Sequence, residues 1–266
     1  MSHWLLDVIA DKRTRALKEA ARAQLFGRMT QEAPALNTEL LLEVVAALEL
    51  AVLDLDAERL GPDDERLAFL HKAATDAFRL MRVSALPDAQ MAAATQLLRA
   101  SALAVIGNHG AEAAQWLRTL EVEQGWPNLP LNSDNWGERC RATLADIWLR
   151  LMCGKDGDDR DVILARVSTL RAEQQELEQN YLASLGGVEA KRSALELIAI
   201  YHLTKAADVL AHFITGGVEE DSYQVQSVLD LHFDGAIAAC DTGNLLELGP
   251  LTCLLARAAT QMVEGC

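Results

Sequence analysis

The chain has 266 residues, half of them hydrophobic and 24% charged, so it can bury a sizeable core and is not a disordered tail. Aromatic residues make up 5%, and Ala and Leu do most of the packing, which suits closely spaced helices and argues against a sheet built on Val, Ile and aromatics. A formal net charge of −15 repels phosphate over most of the surface, which argues against a stand-alone nucleic-acid-binding domain while leaving room for a local basic patch.

Ser2 is a good N-cap, and a first helix is expected from there to about residue 29, opening on the apolar stripe Leu5, Val8 and Ile9. It turns basic over residues 12–28, where Lys12, Arg13, Arg15, Lys18, Arg22 and Arg28 stand against Asp11 and Glu19. Asp7, Asp11 and Lys12 interrupt any apolar secretory region. Residues 31–37, with Pro34, read as a loop. Thr38 caps a second helix to about residue 58, and Leu40, Leu41, Leu42, Val44, Val45, Leu48 and Val52 cover enough of it to place it centrally in a core. Gly61-Pro62-Asp63-Asp64-Glu65 stops that helix and starts a third, which runs to about residue 84. A fourth runs from Pro87 to near Gly107-Asn108, and a short one from Ala111 to about residue 121.

Gly125-Trp126-Pro127-Asn128-Leu129-Pro130 breaks any helix. It reads as a hinge between helical subdomains 1–124 and 131–266, or as a bend within one continuous domain, with Trp126 and Trp136 pinning it to the body. Asn132-Ser133-Asp134 caps a helix to about residue 152, whose Leu144, Ile147, Trp148 and Leu151 follow the helical period. After a turn at residues 154–158 comes a long amphipathic helix to residue 185, able to project from the body, ended by Gly186-Gly187. Residues 188–214 form a mostly buried helix, residues 219–240 another, and residues 244–264 the last, with a kink at Gly249-Pro250. The sum is an all-α fold of about ten helices, an irregular array or bundle without strands. The longest apolar candidate, residues 40–55, carries Glu43, Glu49 and Asp54 and falls short of the roughly 18–20 apolar residues of a membrane span, so a cytoplasmic chain with no membrane association is expected.

No catalytic, cofactor-binding or metal-ligating residues stand out. Neither GxxxxGK[ST] nor GxGxxG occurs, and Gly154-Lys155 lacks the rest of a phosphate loop. The carboxylates of residues 156–161 miss the calcium-loop pattern, because Arg160 and Asp161 fall on its fifth and sixth positions. They suit a helix cap instead. His3, His71, His109, His202, His212 and His232 are scattered and none lies in HExxH. His202 and His212 share one expected helix about 15 Å apart, too far for a common metal ion. A cryptic site pairing either with carboxylates of other helices is the one enzymatic or ligand-binding reading. Cys140, Cys153, Cys240, Cys253 and Cys266 contain no CxxC and read as inert thiols. The basic side chains of residues 12–28 run against the overall charge. They dock an acidic partner or a nucleic acid backbone, with Arg139, Arg141 and Arg150 as a possible extension, or they pair with the acidic stretch 39–65.

Residues 97–117 and 195–240 place small side chains, such as Ala206-Ala207, Ala211 and Ala236, where two antiparallel helices would touch. In this they are similar to tetratricopeptide or HEAT-type paired-helix repeats. No fixed repeat period runs along the chain, so the likeness is one of packing style. The same stretches resemble the helical N-terminal regions of large bacterial DEAD/DEAH-box helicases, including those of phage defence. The motor motifs are absent, and Asp63-Asp64-Glu65-Arg66 is not the ATPase motif. That resemblance implies an accessory region with the motor elsewhere, and the ending Met262–Cys266, without a polar tail, suits a piece of a longer chain. The leading expectation is a non-enzymatic scaffold or regulatory domain that binds a protein partner and needs no cofactor. The alternatives are a nucleic-acid accessory role for residues 12–28 and the cryptic His/carboxylate bundle.

Overall fold

A computed structural model of the chain describes residues 65–83, 87–126, 129–131, 136–153, 157–180, 187–214, 221–245 and 248–265. Among these there is no strand, and eight helices follow in order: α1 (Glu65–Val83), α2 (Pro87–Ile106), α3 (Gly110–Gln124), α4 (Trp136–Cys153), α5 (Gly157–Asn180), α6 (Gly187–Ile214), α7 (Ser222–Gly243) and α8 (Leu248–Glu264). The first two expected helices lie outside the described residues.

Alanine lets α2 and α4 sit at the centre. Every residue from Ala100 to Ile106 is buried, as is every residue from Ala142 to Leu149, so both helices are enclosed on all sides. Helix α2 packs against α1, α3, α4 and α8, and α4 packs against α2, α3, α5 and α6. Helix α8 buries one stripe, Leu251, Leu254, Leu255, Ala258, Ala259 and Val263, at the spacing of a single helical face. Ile163, Val167 and Leu170 of α5 are buried too, and that helix lies against α4 and α6. Its first half therefore packs on the body instead of projecting from it: an amphipathic stripe in sequence needs a neighbour, and α4 and α6 supply one.

Two helices end on asparagine in the left-handed region, Asn108 with φ 63° after α2 and Asn244 with φ 50° after α7. After α2 the N–H of His109 bonds the carbonyl of Ala104 at 2.8 Å and that of Asn108 bonds Val105 at 3.0 Å. After α7 the N–H of Leu245 bonds Cys240 at 2.9 Å in the same pattern. These are Schellman closures. Asn244 is thus the end of α7 and not the start of the last helix. The expected kink at Gly249-Pro250 is absent as well. Helix α8 begins at Leu248, so Pro250 falls in the first turn, where the missing N–H has no intrahelical partner to lose.

One hydrophobic cluster runs through all eight helices and includes Leu129, with Trp126 and Leu131 packed against it. A small satellite of Ala199, Ala239, Cys240 and Leu245 closes the far end of the α6–α7 hairpin. By length and composition Lys191–Ile214 of α6 could cross a membrane, which the sequence reading did not anticipate. Half of that stretch is buried within the fold. Its Glu196 pairs with Arg141 of α4 at 3.0 Å and its Asp208 with Arg171 of α5 at 3.1 Å.

Candidate functional site

Helices α6 and α7 form an antiparallel hairpin whose close approach depends on glycine. A Cβ on Gly235 would lie 2.6 Å from Cε1 and Nε2 of His202, and one on Gly243 would lie 3.2 Å from Cβ of Leu195. With Gly235 clearing the space, His202 of α6 reaches His232 of α7, Nδ1 to Nδ1 at 3.2 Å, the rings tilted by 49°. Tyr201 meets the His202 ring edge-on, with centroids 5.5 Å apart. At that separation one Nδ1–H donates to the lone pair of the other Nδ1, so at most one of the two facing nitrogens carries a proton. Burial pushes both imidazoles below their ordinary pKa, and for His232 the neighbouring His202 adds to the effect.

The pair forms the floor of an apolar strip on the outside of the hairpin. Ile198 and Tyr201 on α6 are 46% and 44% exposed, and Val228 and Leu231 on α7 are 40% and 67% exposed. Single exposed apolar residues are ordinary, whereas several on one face of a helix pair mark a surface that something covers. Charged side chains stand among and beside these apolar residues. Lys191 and Lys205 lie along α6; Asp230, Asp234 and Asp241 lie along the outer side of α7. The Lys205 ammonium sits 5.9 Å from the centre of the Tyr201 ring, and the Asp230 carboxylate accepts from Nε2 of Gln226 at 2.7 Å.

The other polar clusters are absorbed by the fold. Asp146 of α4 is fully buried and accepts from Nε1 of Trp126 at 2.6 Å. Arg150 and Arg166 each place Nε 3.3 Å from its other oxygen, and the Arg150 guanidinium stacks 4.1 Å above the Trp126 ring. This network pins the irregular segment after α3 to α4 and α5, as expected of Trp126. Of the arginines read as extending a basic patch, Arg141 and Arg150 are thus engaged by Glu196 and Asp146. Nδ1 of His212 lies 2.7 Å from the backbone oxygen of Asp208, one turn earlier on α6. His202 meets an imidazole where the cryptic-site reading needed a carboxylate. Among the described residues no three His, Cys, Asp or Glu side chains converge on a point that could hold a metal ion. Cys140, Cys153 and Cys240 are buried and Cys253 is exposed, and burial pushes the Cys240 thiol up. The basic candidates Lys12, Arg13, Arg15, Lys18, Arg22 and Arg28 lie outside the described residues.

Comparison with known protein families, curated proteins and solved structures finds no match for this chain. The ground for a functional reading is therefore the α6–α7 face itself. The sequence held no local signal for it: His202 and His232 are thirty residues apart and meet only through the hairpin register.

Proposed function

We propose that the chain is a non-enzymatic helical interaction domain whose α6–α7 face docks a protein partner. The observation that carries this reading is the exposed apolar strip of Ile198, Tyr201, Val228 and Leu231 around the histidine pair. Covering such a strip removes apolar surface from water at about 25 cal/mol per Å², and exposed aromatic residues are favoured anchors in such interfaces. The small-residue contact between α6 and α7 also fits the packing style of tetratricopeptide and HEAT pairs, which present helix faces to partners. A place as an accessory region of a helicase system whose motor lies elsewhere, as the helicase resemblance implies, is one form of the same reading.

The test compares the proteins retained by the wild-type chain and by Leu231→Asp from a nuclease-treated lysate of the source cells, by quantitative mass spectrometry. Proteins held by the wild type and lost by the variant support the reading. Identical sets overturn it. Loss of every partner on nuclease treatment alone replaces it with the nucleic-acid reading of residues 12–28.

A further inference from the structure

We propose that His202 and His232 form a binding site for a divalent late first-row metal ion, zinc or one of its neighbours, held across α6 and α7 by the two Nδ1 atoms. Such a site stands whether or not a partner covers the face. An imidazole nitrogen binds zinc at about 2.0–2.1 Å, so two nitrogens on one tetrahedral ion lie about 3.3 Å apart. The two Nδ1 atoms are already 3.2 Å apart, so neither helix has to move. The rings do have to turn. Their centroids are 5.5 Å apart, the nitrogen separation plus the two ring radii, so the two nitrogens face each other head-on. To aim both lone pairs at one ion, each ring turns by about 40°. Both rings are only half-buried, so solvent and a dissolved ion reach the pair.

The donor set selects the class of ion. Two neutral imidazoles suit zinc, nickel and copper, whereas calcium and magnesium require oxygen ligands. Among the described residues no third His, Cys, Asp or Glu joins the pair, so water fills the remaining positions and the ion stays open on that side. Binding balances without a co-reactant. Two waters leave the ion and two nitrogens take their places. The one proton between the rings moves from Nδ1 to Nε2 of its own imidazole, and both rings are neutral before and after. Little has to be ordered, because both ligands stand on the middle turns of two packed helices and Gly235 keeps open the space in which the His202 ring lies. The net charge of −15 raises the local concentration of any cation.

Zinc chloride titrated into the untagged full chain tests this by isothermal titration calorimetry, with far-UV circular dichroism checking that each variant is folded. The titration is run at about pH 7.5, where imidazoles of ordinary pKa near 6.5 are neutral. A site lost on substitution of either histidine is expected, with His202→Gln and His232→Gln each weakening it at least about tenfold. His212→Gln, on the same helix as His202, should bind zinc as the wild type does. Zinc at about a hundred times its dissociation constant should raise the urea midpoint of the wild type and leave both pair variants unmoved. Magnesium chloride should shift none of them. A wild type that takes up no zinc overturns the proposal. So does uptake that survives both pair substitutions unchanged, which would put the ion on other side chains. Failure here leaves the partner reading standing, since that reading falls only if Leu231→Asp retains the same proteins as the wild type.

Discussion

At Asp146 three side-chain donors meet one buried carboxylate, which pairs with Arg150, whose side chain is 14% exposed, and with Arg166. Removing one member of a buried ion pair strands the other, at a cost of about 3–5 kcal/mol. Asp146→Ala should therefore lose stability in that range in urea unfolding and shift the fluorescence of Trp126. Asp146→Asn should lose less, because the amide oxygen still accepts from the indole; equal losses would count against the charge argument. The histidine pair makes a second prediction at this scale. Burial lowers both imidazole pKa values, with the His202 contact adding for His232. The unfolded chain takes up these protons near pH 6.5, and the folded chain only below it. Stability is thus unaffected by the pair above that pH, falls as the pH drops below it, and levels off beneath the folded values. The slope is at most about 1.4 kcal/mol per pH unit for each proton, and smaller here because both rings remain partly solvated. Urea midpoints at pH 7.5, 6 and 5 should fall less steeply for the doubly substituted His202→Gln, His232→Gln chain than for the wild type. Parallel slopes would remove the pair from the titration.

Between α6 and α7 a mid-helix glycine sets the packing distance. By intrinsic propensity Gly235→Ala would gain about 1 kcal/mol. Its Cβ would collide with the His202 ring, so the ring must swing away from His232 or the helices must part. The expected outcome is a net loss of about 1–3 kcal/mol in denaturant unfolding, reversed to neutral or better when His202→Ala empties the space. A loss that persists in the His202→Ala background would mean that backbone approach and not the ring is the constraint. Helices as units were largely legible. Gly61-Pro62, Gly107-Asn108 and Gly125 through Pro130 punctuate the chain, and the observed start of α1 and the ends of α2 and α3 fall within a few residues of those marks. Boundaries are ambiguous in sequence where one residue type serves two roles. Asn244 can cap a helix start or, as here, close a helix end in the left-handed region. Pro250 can kink a helix or sit harmlessly in its first turn.

Contacts between helices decide the whole molecule, and these the sequence left open. It marked α5 as amphipathic without naming α4 and α6 as its neighbours, and it displayed both halves of the histidine pair without the register that joins them. The break at residues 125–130 is the sharpest case, since composition alone allows a hinge between two subdomains or a bend in one. In the fold, α2 from the N-terminal side packs against both α4 and α8 from the C-terminal side, and Trp126 and Leu129 of the break join the same core. Trp126 also donates to Asp146 across it. A core shared in this way is expected to unfold as a unit. Far-UV circular dichroism and tryptophan fluorescence should therefore trace a single coincident transition in urea. Residues 131–266 expressed alone should fail to show one, because without α2 the inner faces of α4 and α8 are open to water. Two separated transitions, or a cooperatively folded 131–266 fragment, would establish the break as a true boundary and leave the α6–α7 face on a domain able to act independently of the first half.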